Sequence, residues 1–248
     1  MGVCYKGSTS NSRLLAFVDH AETYGPAVLP HFFRQCMSPK TVLDLGAGSG
    51  RDLLLARSIH PGIKTHGVEW FPECVAALEQ SDIQAWQCDL EASELPFASE
   101  SLDIVIANQV LEHVKELFWI VHEASRVLKI GGHLIVGVPN VASLHNRLGL
   151  LFGKHPTQAK ACSAHIRIFS KQDFLLFLEE GFPGGYALDG FAGSQFYPFP
   201  RAVARVLARL MPTAAYSIYF LLRKMKPYTD SFATYPARAH LATNFKGL

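Results

Sequence analysis

Three carboxylates and three glycines between residues 44 and 89 are the part of this chain best suited to hold a charged small molecule. Asp44 stands two residues before the first of Gly46, Gly48 and Gly50. Glu69 ends a second apolar run, and Asp89 follows a third in Gln87-Cys88-Asp89-Leu90. A carboxylate at position 44 is close enough to the glycine turn to reach a ligand amine, directly or through water. One at position 69 can accept from both hydroxyls of a ribose. One at position 89 can accept from an adenine amine while Leu90 covers the ring. Glycine at every second position lets the backbone turn sharply and admits a ligand where a Cβ would stand. The helix opening at Arg51 would aim its free N–H groups into the same space. The chemistry these residues specify is capture of an adenosine that also carries an amino-acid part.

The elements that must position them follow from the hydrophobic pattern. Val42–Leu45, Lys64–Glu69, Ile83–Gln87, Leu102–Ala107 and His133–Val138 are expected strands. Between them, Arg51–Ile59, Pro72–Gln80 and Glu112–Leu128 have helical spacing, and Gly131-Gly132 turns the chain into the fifth strand. Alternating strands and helices with nearly continuous apolar strands predict a parallel sheet covered on both faces. A ligand would then lie at the carboxyl ends of the strands. Beyond Val138 the alternation stops. Helices are expected at Ala142–Phe152, Gln172–Glu180 and Arg201–Leu210, and strands at Gly185–Asp189 and Tyr216–Leu222. The tail from Lys226 is expected to be irregular because of Pro227 and Pro236. Before the first strand, Leu14, Leu15, Phe17 and Val18, then Val28, Leu29, Phe32 and Phe33, suit two helical pieces broken at Gly25-Pro26. These pieces could form a packing layer or a lid over the glycine turn.

Composition narrows the partners. With 49% hydrophobic and 18% charged residues the chain can bury a sizeable core. A net charge of +2 and no dense Lys/Arg run argue against nucleic acid. Cys4, Cys36, Cys74, Cys88 and Cys162 are scattered and include no C-x-x-C pair, which suits reduced thiols in a cytoplasmic protein rather than disulfides or zinc. No leader-type apolar stretch opens the chain, and Arg205, Arg209 and Pro212 interrupt the run Ala202–Leu222. No metal site is expected, since Glu112-His113 is not part of an H-E-x-x-H pattern.

The motifs together resemble the class I S-adenosylmethionine-dependent methyltransferases, and within them the bacterial small-molecule group that includes the ubiquinone- and menaquinone-type enzymes. The resemblance rests on the glycine turn, Gly67-Val-Glu-Trp70, Cys88-Asp-Leu90, Leu95-Pro-Phe97, Leu102 through Val114 and Arg126-Val-Leu-Lys-Ile-Gly-Gly132, in the family's order over roughly residues 38–140. His165-x-Arg167-x-Phe169-Ser170 and the basic pair Arg223-Lys224 extend it.

It implies a single domain on a Rossmann-like, seven-stranded, mostly parallel α/β sheet. Helices would cover both faces, with the last strand antiparallel and an insertion after strand five. Its parts would be an N-terminal lid or packing layer (1–36), a cofactor core (38–140), a substrate-side insertion (141–170), the C-terminal part of the sheet (171–226) and a tail (227–248). The cofactor implied is S-adenosyl-L-methionine, with S-adenosyl-L-homocysteine as product. Asp44, Gly46, Ala47, Gly48 and Gly50 would face its methionine part. Glu69 and Trp70 would lie at the ribose and adenine, Asp89 and Leu90 at the adenine edge, and Asn108 and Gln109 beside the sulfonium.

Methyl transfer then needs in-line placement and, for a hydroxyl acceptor, a base. His113, His145 and His165 are the candidates, with Arg147 and Arg167 as anchors for an acidic substrate group. A packed helix-start histidine is the plainer alternative at His113. The expected function is methylation of a small molecule at oxygen. Kept beside it are methylation of a glycan- or lipid-linked intermediate at the membrane face, and a non-catalytic cofactor-binding protein.

Overall fold

The computed structural model describes residues 20–241. The expected helical piece at Leu14–Val18 lies outside them. Seven strands form one sheet: β1 Thr41–Leu45, β2 Lys64–Glu69, β3 Gln84–Gln87, β4 Leu102–Asn108, β5 Leu128–Pro139, β6 Tyr186–Ser194 and β7 Ser217–Lys224. Their order is β3-β2-β1-β4-β5-β7-β6. Pairings from β3 to β5 are parallel, and β7 runs antiparallel to both β5 and β6. Only the last strand is therefore reversed, as expected.

Residue alternation along the strands explains the two core layers. Ile104 and Ile106 of β4 pack into one, and Val105 and Ala107 into the other. Helices α1 Leu29–Gln35, α2 Arg51–Ile59 and α3 Pro72–Gln80 cover the first layer. Helices α4 Leu117–Val127, α6 Lys171–Gly181 and α8 Ser231–Arg238 cover the second. Helices α5 Leu144–Leu151 and α7 Arg201–Leu210 sit at the carboxyl edge of the sheet. That edge is set by register: the ends of β5 and β6, Pro139 and Ser194, both face Ser217 at the start of β7.

Two expectations are corrected. The helix foreseen over Glu112–Leu128 is a short 3-10 turn, Leu111–His113, followed by α4 from Leu117, while Leu128 belongs to β5 and pairs with Leu102. The break is stabilised from another loop. The Glu91 carboxylate accepts from the backbone N–H groups of Lys115 and Glu116, both at 3.0 Å, and so caps the start of α4. The tail is not irregular throughout, because α8 forms around Pro236. Burial of Phe232 offsets the backbone bond that Pro236 cannot make.

The segment before β1 both packs and reaches the cleft. Leu29, Phe32 and Phe33 of α1 are buried in the core. A 3-10 turn, His20–Tyr24, is latched to the far end of the sheet. Buried Glu22 accepts from Arg205 at 2.7 and 3.0 Å and from Arg201 at 2.8 Å. The Tyr219 hydroxyl donates to the Thr23 carbonyl at 2.5 Å. Glu22→Ala should lower unfolding stability by about 2 kcal/mol, allowing for the half-exposed arginines. An unchanged urea midpoint would show that the latch contributes nothing.

Candidate active site

The glycine turn joins β1 to α2, and its three glycines are needed for different reasons. All have positive φ: 68° at Gly46, 52° at Gly48 and 78° at Gly50. A Cβ on Gly46 would press on Val110 at 2.8 Å, and one on Gly50 on Ile83 and Leu78 at 2.7 and 2.8 Å. A Cβ on Gly48 would meet nothing within 4 Å. Gly48 thus faces open space at the carboxyl end of the sheet, where a ligand can approach the backbone.

Carboxylates crowd the floor of that space. Asp44 is buried, and burial pushes its carboxyl well above the ordinary range; Asp52 and Glu69 push it further and Arg51 opposes them. Glu69 is shared between the turn and the end of β2. Its Oε2 accepts from the Gly48 N–H and its Oε1 from the Trp70 N–H, each at 2.8 Å. Asp52, in the first turn of α2, accepts from Arg51 Nε and from Asn108 Nδ2, each at 2.7 Å. The Tyr24 carbonyl accepts from Arg51 at 3.2 Å and Asn108 at 3.3 Å, and the Arg51 guanidinium lies 4.8 Å from the centre of the Tyr24 ring. The strap before α1 is thereby tied to the cradle. A cationic ligand would favour the ionised form of Asp44 and offset its crowding by Asp52 and Glu69.

The remaining expected cofactor residues follow the carboxyl ends of β1 to β4. Ala47 is buried in the turn, whereas Trp70 is exposed beside Glu69. Asp89 Oδ1 accepts from the Glu91 N–H at 2.9 Å, and Leu90 packs against the core. Gln109 adopts φ 59°, its N–H donates to the Gly137 carbonyl at 2.8 Å, and its buried Nε2 has no partner.

The candidate bases separate. Backbone N–H groups of Ile166 and Arg167 donate to the Glu112 carbonyl, at 2.7 and 3.0 Å, which brings the insertion against the start of the 3-10 turn. His113 and His165 meet there edge to face with ring centres 4.8 Å apart. The Glu112 carboxyl is 3.8 Å from His113, its Oε2 has no partner, and burial pushes it up to about 8. His165 is held below its ordinary value by burial and by His113. Its buried Nδ1 has no partner.

His145 differs: its ring nitrogens face Ser143 at 3.2 Å and Thr157 at 2.9 Å, and it stacks on Tyr216. Arg147 is likewise spent on the carbonyls of Ala142 and Thr213, at 2.5 and 3.2 Å. Arg167 donates to the Lys115 carbonyl at 2.6 Å beside the Glu112 group. His145 and Arg147 are thus engaged by neighbouring groups, and Arg147 braces α5. Glu112, His113 and His165 bring potential ligand atoms within 4.8 Å of one another. Sequence reasoning missed Tyr24, Arg51 and Asp52. An acid and a base directly after the third glycine were the available signal for the last two.

Residues 43–136 match the family model described as methyltransferase domain. An arsenite methyltransferase of Halobacterium salinarum is 32% identical over 113 residues, covering 43% of this chain and 29% of that protein. The mitochondrial ubiquinone biosynthesis O-methyltransferase of Mus musculus is 26% identical over 174 residues, covering 66% of this chain and 45% of that protein. These matches span less than half the length of either relative. The fold matches an S-adenosylmethionine-dependent methyltransferase from Mesorhizobium loti with a TM-score of 0.56 at 18% identity, over 82% of this chain and 98% of that one. It also matches the 1,6-didemethyltoxoflavin-N1-methyltransferase of Burkholderia thailandensis, solved with S-adenosylhomocysteine, with a TM-score of 0.55 at 16% identity, over 84% and 80%. Residues 43–136 thus resemble a methyltransferase domain, and the chain has the fold of S-adenosylmethionine-dependent methyltransferases of known structure.

Proposed function

We propose that this protein transfers a methyl group from S-adenosyl-L-methionine to a small-molecule acceptor at oxygen. The observation that carries the reading is the open face of Gly48 above the buried carboxylates Asp44, Asp52 and Glu69. When bound, the cofactor supplies a methyl group activated by a sulfonium. Asp44 and Asp52 would balance the cationic methionine part, and Glu69 would accept from the ribose hydroxyls. Asp89 and Leu90 would receive the adenine. The buried Gln109 Nε2, which has no partner, has a donor to give.

His165 would take the proton of the acceptor hydroxyl. A lowered value keeps that ring neutral near pH 7, with a lone pair ready to accept. Glu112 and His113 would hold the ring in place, and Arg167 would steady the loop that carries it. The relatives' names support a small acceptor, since one methylates arsenite and another carries ubiquinone biosynthesis O-methyltransferase as its name.

Calorimetric titration with S-adenosyl-L-homocysteine tests the cradle. Asp44→Ala and Glu69→Ala should each weaken binding by about tenfold or more, because a charge-assisted hydrogen bond contributes roughly 1.5–3 kcal/mol. Circular dichroism should show both variants folded. Affinity equal to that of the parent protein would remove these two residues from the site.

A further inference from the structure

The carboxyl edge carries a surface that methyl transfer does not use. No Asp or Glu occurs between Glu123 and Asp173, or between Asp189 and Asp230. These acid-free stretches supply α5 and α7, and the two helices are neighbours. Leu144 of α5 packs on the cluster of Phe196, Ala204, Ala208 and Ala215, and Arg147 donates to the Thr213 carbonyl just after α7.

Helix α7 turns its small residues inward and its large ones outward. Ala204 and Ala208 are buried, while Val203, Val206 and Leu210, at i, i+3 and i+7, are exposed. On α5, Leu148 and Leu151 point outward, and Phe152 follows; Leu151 is 79% and Phe152 78% exposed. Lys154, Lys160 and Arg209 are exposed in the same stretches. In water, side chains of this kind forgo about 25 cal/mol per Å² of apolar area that a partner could bury.

Charge decides which partner. An isologous contact with a second copy would set these cations against their own equivalents. A negatively charged bilayer surface offers the opposite sign to the cations and an apolar layer beneath it for the outward stripe. Among the described residues no helix is long and apolar enough to cross a membrane, so contact would be with the interface.

We propose that the α5–α7 face docks on an anionic phospholipid bilayer. Because α5 follows the end of β5 and α7 leads into β7, docking would bring the carboxyl edge, and with it the Gly48 opening, toward the lipid surface. An amphiphilic acceptor could then be offered at the headgroup level, an extension that rests on the function proposed above. The docking itself is read from the surface and stands apart from methyl transfer.

Vesicle co-sedimentation tests it, using phosphatidylcholine alone and phosphatidylcholine mixed with phosphatidylglycerol. The full chain should sediment with the mixed vesicles, less so as salt rises, and poorly with phosphatidylcholine alone. Leu151→Glu with Phe152→Glu should weaken binding by about tenfold or more, and Leu210→Glu should act in the same direction. S-adenosyl-L-homocysteine affinity, measured on the same samples, should stay at the parent value. Failure to sediment with anionic vesicles, or equal sedimentation by the variants, would overturn the proposal. So would a dimer in light scattering that Leu151→Glu dissociates, since a second copy would then cover this face. Loss of cofactor affinity in the parent protein would instead count against the proposed function.

Discussion

Gly48→Val should abolish measurable binding of S-adenosyl-L-homocysteine while leaving the protein folded. The added side chain would stand in open space, where no atom beyond the adjoining residues lies within 4 Å of the Cβ position. Its cost to the fold is that of a branched residue at φ 52°, roughly 1–2 kcal/mol. Gly50→Ala should show the opposite pattern. Its Cβ would meet Ile83 and Leu78 inside the core, at 2.7 and 2.8 Å, and its φ is 78°. A loss of about 2–4 kcal/mol in stability is expected there, from overpacking and backbone strain together. Titration calorimetry and urea unfolding on both variants measure the contrast. Normal affinity in Gly48→Val would place the ligand elsewhere.

The second large effect concerns Glu112 and His165. His165→Ala should lower kcat by about a hundredfold or more, the usual contribution of a general base, with cofactor affinity unchanged. The turnover of the parent protein should fall on the acid side as His165 gains a proton. Equal kcat in parent and variant would make His165 structural.

Glu112 gives a separate signature in stability. Its carboxyl is raised by burial from 4.5 to about 8. Between those values the folded protein keeps a proton that the unfolded chain has released, so stability falls as pH rises across the window. Glu112→Gln should flatten that slope and be more stable than the parent at pH 8, by about 3 kcal/mol. Parallel pH profiles of the urea midpoint would contradict the assignment.

The cradle was legible in the sequence because its parts are local. A strand that ends in an acid, alternate glycines and a helix start lie within a dozen residues, and strand periodicity places Glu69 and Asp89 at neighbouring strand ends. Less legible was whatever depends on distant partners. Nothing near Lys115 announces that Glu91 will cap α4, so periodicity ran the helix back to Glu112. Pro236 reads as a breaker until Phe232 is seen in the core. His145 and His165 look alike in sequence, each in a basic, acid-free stretch. They differ only once Thr157 and Ser143 engage the first, and Glu112 and His113 surround the second. Tyr24 joins the site only through its carbonyl, which no side-chain pattern could signal.

The most direct test of the central claim is transfer of a labelled methyl group from S-adenosyl-L-methionine into extracts of the source cells, divided into water-soluble, lipid and macromolecular fractions. The account predicts label in one small-molecule or lipid species, lost with Gly48→Val and reduced with His165→Ala. Label confined to protein or nucleic acid would contradict a small acceptor. No label in any fraction from a protein that binds the cofactor normally would contradict methyl transfer and leave a cofactor-binding protein.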